Sequence, residues 1–94
     1  ALRKMHFLMR ARALVAFPGG FGTLDELFEV LTLVQTRKAN PVPIVLFDGD
    51  YWRRLMNLEV LVEAGAIAPE DLNLYTIADT PEQAWACIRD FYRL

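Results

Sequence analysis

The sequence predicts an α/β fold in which a parallel sheet lies between two layers of helices. Short apolar runs alternate with segments of helical apolar spacing, in the order α-β-α-β-α-β-α. The first two apolar runs are continuous, which fits strands that are buried on both faces, and each of the three runs is followed by proline or aspartate. Strands separated by helices pair in parallel through right-handed crossovers. With three strands and an opening helix, the chain resembles the C-terminal half of a doubly wound fold.

The first half of the chain is expected to hold two helices and one strand. The first strand should stop at Pro18, which cannot donate to a sheet. Thr23 is a suitable N-cap for the following helix, and Asp25 and Glu26 fall in its first turn, where the helix dipole favours negative charge. The expected elements are a helix at residues 2–12, a strand at 13–17 and a helix at 24–36.

The second half continues the alternation. A basic connection with two prolines occupies residues 37–43, and residues 48–50 have turn composition with a capping aspartate. Gly65 suits a helix C-terminus, and Thr80 and Pro81 suit the cap and first position of the last helix. The expected elements are a strand at 44–47, a helix at 51–64, a short helical turn at 69–72, a strand at 74–78 and a helix from 81.

Composition argues against several classes of function. The net charge of -2 and the absence of any run of Lys or Arg argue against binding to nucleic acid or to an acidic membrane. No apolar stretch approaches about 18 residues, so neither a membrane span nor a signal peptide is expected. Cys87 is the single cysteine, which excludes an internal disulfide and favours a cytoplasmic location, with Cys87 as a small buried residue.

The size of the chain suggests that it depends on further contacts. Its 94 residues can form one domain, but so small a domain buries a modest fraction of its surface. An apolar content of 54% exceeds what one small core can hide, which suggests missing chain or a partner subunit. We therefore expect one partial domain over residues 1–94, with an N-terminal half absent from this sequence.

Residues 18–23, with the sequence PGGFGT, predict an anion site. A strand, a glycine-rich turn and a helix in this order place unpaired N–H groups and a positive dipole end at the carboxyl edge of the sheet. Glycine allows close approach of a phosphate, and the Thr23 hydroxyl can cap the helix or donate to a phosphate oxygen. A Walker loop requires a lysine after the last glycine, and a dinucleotide-binding loop requires a different spacing of the glycines. The segment therefore matches neither type of loop. The alternative is a tight turn that merely requires glycine.

Two carboxylates, Asp25 and Glu26, follow this segment directly. Near the sugar of a phosphate-bound ligand, a carboxylate can stabilise an oxocarbenium-like centre or polarise water. The alternative is simple complementation of the helix dipole.

Other polar and aromatic residues have simpler structural explanations. Arg3 and Lys4 fit a solvated helix face, His6 fits a surface or packed position, and the expected core or interface aromatics are Tyr51, Trp52 and Trp85.

These residues together resemble the LOG (Lonely Guy) family, whose members are often labelled as possible lysine decarboxylases. The family signature is Arg-Lys on a helix, followed fifteen residues later by P-G-G-x-G-T-x-x-E, and Arg3-Lys4 precedes Pro18 at that spacing. The match continues at residues 27–29, Gln35, residues 43–47 and residues 51–52, and so covers nearly the whole chain. The family also has a glycine-rich segment and a further acidic residue in an N-terminal half, which these residues do not contain.

The resemblance implies a Rossmann-like homodimer that hydrolyses nucleoside 5′-monophosphates, such as AMP or cytokinin riboside monophosphates, to the free base and ribose 5-phosphate. By matching position, Arg3 and Glu26 are the expected catalytic pair. The residues expected to bind the substrate or its phosphate are Lys4, Gly19, Gly20, Phe21, Gly22, Thr23, Asp25 and Thr32. Phe21 stands where many plant members have Tyr. We expect neither a metal nor a cofactor. The helices at 24–36 and around Arg3 are candidate dimer elements.

A rival interpretation is a non-catalytic carrier. The same fold resembles molybdenum-cofactor carrier proteins, which bind a phosphorylated pterin at an equivalent glycine loop. Retention of Glu26 and Arg3 favours the enzyme. A third interpretation is an isolated piece of chain that folds but has no activity of its own.

Overall fold

The computed structural model of the protein describes residues 13–93. The helix expected at residues 2–12, with Arg3, Lys4 and His6, lies outside the described residues. Among the helices within them, none is long and apolar enough to cross a membrane. The elements are β1 (Leu14–Ala16), α1 (Phe21–Gln35), β2 (Ile44–Phe47), α2 (Gly49–Leu55), α3 (Glu59–Glu63), a 3-10 helix (Pro69–Leu74), β3 (Thr76–Ala78) and α4 (Pro81–Tyr92).

The three strands form one parallel sheet in the order β1-β2-β3. Val45, at the middle of the central strand, stands opposite Val15 on one side and Thr76 on the other. Because the strands are parallel, their carboxyl ends meet at one edge, and the segments after β1, β2 and β3 lie there together. This arrangement confirms the predicted α/β class.

Helices cover both faces of the sheet, as expected. Ile44 and Leu46 of β2 point to the face covered by α1 and α2, where they join the larger core cluster. Val45 points to the opposite face and contacts Ala84 of α4. Cys87 is half-buried against the same cluster, which agrees with its interpretation as a small packed residue.

Several local predictions are confirmed because short-range chemistry decides them. The second strand has the predicted bounds, while β1 and β3 are shorter than predicted. Thr80 caps α4 by accepting a hydrogen bond from the Gln83 N–H at 3.1 Å, and Pro81 occupies the first helical position. Gly65 has a φ of 77° directly after the α3 C-cap, a conformation that glycine adopts without strain.

The beginning of α1 differs from the prediction. The helix begins at Phe21 and not at Leu24, because the Gly20 carbonyl already accepts the Leu24 N–H at 3.2 Å. Gly20 is the N-cap, in an extended conformation, so Thr23 lies inside the first turn and is not the N-cap. Glycine is itself a good N-cap, and its position upstream overrode the preference for threonine.

The same shift moves the two carboxylates along the helix. The first turn of α1 contains no acidic residue, and Asp25 and Glu26 lie about one turn deeper than predicted. The dipole effect is confined to the first turn. Simple dipole complementation is therefore a weaker explanation for either carboxylate than the sequence suggested.

The single helix predicted at residues 51–64 is two helices. α2 ends at Leu55, Met56 is extended with φ -131° and ψ 140°, and α3 begins at Glu59. Neither glycine nor proline causes this break. Met56 is partly buried against the larger core cluster, so tertiary packing of its side chain overrides the helical periodicity.

Candidate functional site

The glycine loop between β1 and α1 lies at the carboxyl edge of the sheet. The first intrahelical hydrogen bond of α1 is donated by Leu24 to the Gly20 carbonyl. The N–H groups of Phe21, Gly22 and Thr23 precede it, and such groups have no carbonyl one turn earlier in their own helix. They stand at the positive end of a 15-residue helix. This geometry suits an anion such as a phosphate.

The three glycines of the loop have different surroundings. A Cβ at Gly19 would overlap the Thr23 side chain, so Gly19 is required for close packing. A Cβ at Gly20 or Gly22 would meet nothing within 4 Å. All three residues avoid positive φ. The need for a tight turn therefore explains Gly19, but it explains neither Gly20 nor Gly22.

Gly22 is unfavourable for the fold itself. It lies inside α1, where glycine is less favourable than alanine by up to about 1 kcal/mol. The structure leaves open space where an alanine methyl group would stand. Packing does not require a glycine here. A glycine would instead serve to keep the backbone N–H groups accessible to a ligand.

Tyr51 reaches the loop from α2. Its hydroxyl donates a hydrogen bond to the Gly19 carbonyl, across 32 residues of sequence. Its ring packs edge-on against Trp52 at a centroid distance of 5.0 Å. Trp52 is 1% exposed and donates its Nε1–H to the Phe47 carbonyl, which confirms the core interpretation for this residue. Trp85, in contrast, is 54% exposed on α4.

Two aspartates at the same edge fix the start of α2. Asp48 caps the helix by accepting the Tyr51 N–H at 3.4 Å. Asp79, which follows β3, accepts the Gly49 N–H at 2.8 Å, and its own N–H donates to the Gln83 side chain. A Cβ at Gly49 would overlap Arg53 and Asp79, so the approach is close. These contacts hold Tyr51 beside the loop.

Glu26 is the one buried charged residue among those that the structure describes, with 8% exposure. It shares its side of α1 with Gly22 and Thr23, which lie four and three positions earlier, respectively. Charged residues are rarely this buried unless their environment specifically accommodates them. A buried carboxylate one turn inside a helix whose N-terminus suits an anion is placed to act on a group attached to such an anion.

The remaining predicted residues of α1 lie on a different side. Phe21 is 91% exposed and Asp25 is exposed, one turn apart on the surface of the helix. Thr32 is exposed, and its hydroxyl donates to the Phe28 carbonyl at 2.7 Å. Thr32 lies six residues beyond Glu26, or about 9 Å along the helix axis. The structure thus brings Glu26 to the glycines and leaves Thr32 apart from them.

Thr32 instead borders an apolar groove of about 140 Å³ between α1, α3 and the 3-10 helix. The Gln35 side chain donates to Asp71 at 2.8 Å here, and this bond, followed by one from the Ala68 N–H, lowers the pKa of Asp71. Burial raises the pKa of Tyr75, and the carboxylate of Glu59 raises it further. The groove is held together by polar contacts at its rim.

The parallel sheet, the glycine loop at its carboxyl edge and the helix that follows define a Rossmann-like α/β protein, and the geometry of the loop suits a phosphate-type anion. Residues 1–88 match the model of the family described as "Possible lysine decarboxylase". The chain belongs to this family, which is the LOG family that the motif predicted.

Curated relatives carry consistent names. The chain is 35% identical over 82 residues to the probable cytokinin riboside 5′-monophosphate phosphoribohydrolase LOGL2 of Oryza sativa subsp. japonica. The aligned region covers 86% of this chain and 34% of the relative. It is 35% identical over 82 residues to LOG3 of Arabidopsis thaliana, covering 86% and 38%, and 40% identical over 68 residues to LOG7 of the same plant, covering 71% and 31%. The chain spans about a third of the length of these relatives.

Tyr51 is the functional candidate that sequence reasoning missed. It was expected in the core or an interface, and its hydroxyl instead contacts the loop. The available signal was topological, because the turn after the second strand must lie at the same edge as the loop after the first.

Proposed function

We propose that the protein hydrolyses the N-glycosidic bond of nucleoside 5′-monophosphates, releasing the free base and ribose 5-phosphate. The observation that carries the proposal is the burial of Glu26 one turn inside α1, on the same side as Gly22 and Thr23. The names of the relatives support the same chemistry, with cytokinin riboside 5′-monophosphate as their substrate.

In this proposal the 5′-phosphate binds at the N-terminus of α1. The N–H groups around Gly20 and Gly22 donate to phosphate oxygens, and the dipole adds favourable charge. Thr23 is half-buried next to Gly19, within the turn that receives the phosphate. Lys4 helps to hold the substrate, by its match to the family motif. Binding the phosphate sets the position of the ribose relative to Glu26.

Hydrolysis then breaks the bond between C1′ of the ribose and the base nitrogen. The bonding electron pair leaves with the base, C1′ acquires oxocarbenium character, and a water oxygen forms the new bond to C1′. The Glu26 carboxylate stabilises the positive charge on the sugar or orients the attacking water. Arg3 stabilises the negative charge that develops on the leaving base. The water supplies one proton to the base and one hydroxyl to the sugar.

The first test is base release by the purified full-length protein from purine and pyrimidine 5′-monophosphates, cytokinin riboside monophosphate included. The matching nucleosides are the control, since they differ only in the phosphate. We expect release from one or more monophosphates and little from their nucleosides, measured by chromatography. Release from no nucleotide, with a phosphorylated pterin found in the native mass spectrum, would favour a carrier.

We further propose that the protein forms a homodimer through an apolar surface on α1 and α3. The exposed large apolar side chains of these two helices are Phe21, Phe28, Val60 and Leu61. Phe28 and Leu61 line the same groove, so these two side chains form an apolar patch that joins the two helices. Contiguous apolar surface of this kind is typical of subunit interfaces.

Sedimentation equilibrium tests this surface. We expect a dimer for the full-length protein and a monomer for Phe28→Asp. Phe91→Asp is the matched control, because Phe91 is similarly exposed but lies on α4, against the Tyr92 ring. A monomeric wild-type protein, or equal dissociation by both variants, would rule out this interface.

A cytoplasmic location is also part of the proposal. The single Cys87 supports this location, and detection of the protein in a secreted fraction would contradict it.

A further inference from the structure

The hydrogen bond from Tyr51 to Gly19 fixes one peptide group of the glycine loop. Gly19 and Gly20 are adjacent, and glycine has more backbone freedom than any other residue. The peptide plane between them is therefore easy to rotate unless another group holds it. The Tyr51 hydroxyl is that group, since it donates to the Gly19 carbonyl.

The direction of this carbonyl determines the direction of the next N–H. Within residues 13–93 every peptide bond is trans. In a planar trans peptide the C=O and the following N–H point in opposite directions. With the Gly19 carbonyl held against Tyr51, the Gly20 N–H points away from α2. The space beside the Gly20 Cα is open, because nothing lies within 4 Å of where a Cβ would stand.

The Tyr51 side chain is itself held in a fixed position. The Tyr51 ring packs edge-on against Trp52, which is among the most buried residues described. The start of α2 is fixed by the bonds that Asp48 and Asp79 accept from the Tyr51 and Gly49 N–H groups. The hydroxyl is thus held in place by the core on one side and by the strand ends on the other.

We propose that Tyr51 is a positioning residue for phosphate binding: it orients the Gly19–Gly20 peptide so that the Gly20 N–H joins the N–H groups at the start of α1. This inference rests on the proposed function, because it assigns Tyr51 to the phosphate end of the substrate. Tyr51 acts through the loop and does not contact the reacting atoms.

The test uses Tyr51→Phe in the full-length protein, which keeps the ring on Trp52 and removes only the hydroxyl. We expect the dissociation constant for inorganic phosphate and the KM for the best nucleoside monophosphate to rise about tenfold, the order of one hydrogen bond. The kcat should change less than twofold, because Glu26 is untouched. Amide hydrogen exchange of the loop peptide in the ligand-free protein should become faster.

Tyr75→Phe is the matched control. Tyr75 is also half-buried, but it lines the apolar groove and not the glycine loop. It should leave phosphate binding, KM and loop exchange unchanged. Circular dichroism confirms that both variants are folded.

The outcomes separate this inference from the proposed function. If the wild-type protein binds phosphate and Tyr51→Phe binds it equally well, or if only kcat falls, the positioning role is overturned and the proposed function stands. If the wild-type protein binds no phosphate and hydrolyses no monophosphate, the proposed function fails, and the positioning role fails with it.

Discussion

Glu26→Gln is expected to lower base release from nucleoside 5′-monophosphates by a factor of about 10² or more, since loss of charge stabilisation in a buried site has effects of this size. Glutamine has nearly the same shape as glutamate but carries no negative charge. It can neither stabilise an oxocarbenium centre electrostatically nor accept a proton from water. The effect should fall on kcat, with substrate binding largely retained, because the phosphate is held elsewhere.

Glu29→Gln is the matched control for this experiment. Glu29 lies three residues further along α1, carries the same charge and is exposed, so its removal should leave kcat within about twofold of wild type. Thermal unfolding of both variants tests whether the buried position is also required for stability. Base release by Glu26→Gln within a few fold of wild type, in a folded protein, would show that Glu26 has no catalytic role.

Gly22→Ala is expected to raise stability and to weaken phosphate binding. The added methyl group meets open space and the backbone φ is negative, so the helix should gain up to about 1 kcal/mol in its free energy of unfolding. In a helix the Cα–Cβ bond tilts toward the N-terminus, so the methyl group leans into the space where the anion approaches the N–H groups. We expect affinity for phosphate to fall at least tenfold, which is about 1.4 kcal/mol.

Gly65→Ala should show the opposite pattern. Gly65 has a φ of 77°, which alanine adopts only with strain, so stability should fall by about 1 kcal/mol while phosphate binding is kept. Denaturant unfolding and phosphate titration of the two variants give both quantities. If Gly22→Ala binds phosphate as wild type does, the open N-terminus of α1 is not the phosphate site.

The fold was predictable where local chemistry decides it. The β-branched and apolar run of β2 and the Thr80-Pro81 start of α4 are specified by residues that are adjacent in sequence. The interruption at Met56 was not predictable in this way, because it depends on the core into which the Met56 side chain packs. Periodicity describes one helix at a time and cannot anticipate such a contact.

The candidate site was predictable in its motif and not in its geometry. The sequence identified Glu26 and the glycines, but it placed the helix start at Leu24 and both carboxylates in the first turn. In the structure Glu26 lies on the buried side of α1 with Leu27, Val30 and Val34, whereas Asp25 is exposed. The Tyr51 contact joins residues 32 positions apart, and it follows only from the meeting of strand ends at one edge.

The two tryptophans give the molecule a built-in pair of optical probes. Trp52 is buried and touches the ring whose hydroxyl holds the glycine loop, while Trp85 is half exposed on α4. A dissolved quencher such as acrylamide should quench the emission of the exposed Trp85 and leave the emission of the buried Trp52 unchanged. The light that survives quenching therefore comes from the core beside the loop, one ring away from the hydroxyl that contacts Gly19.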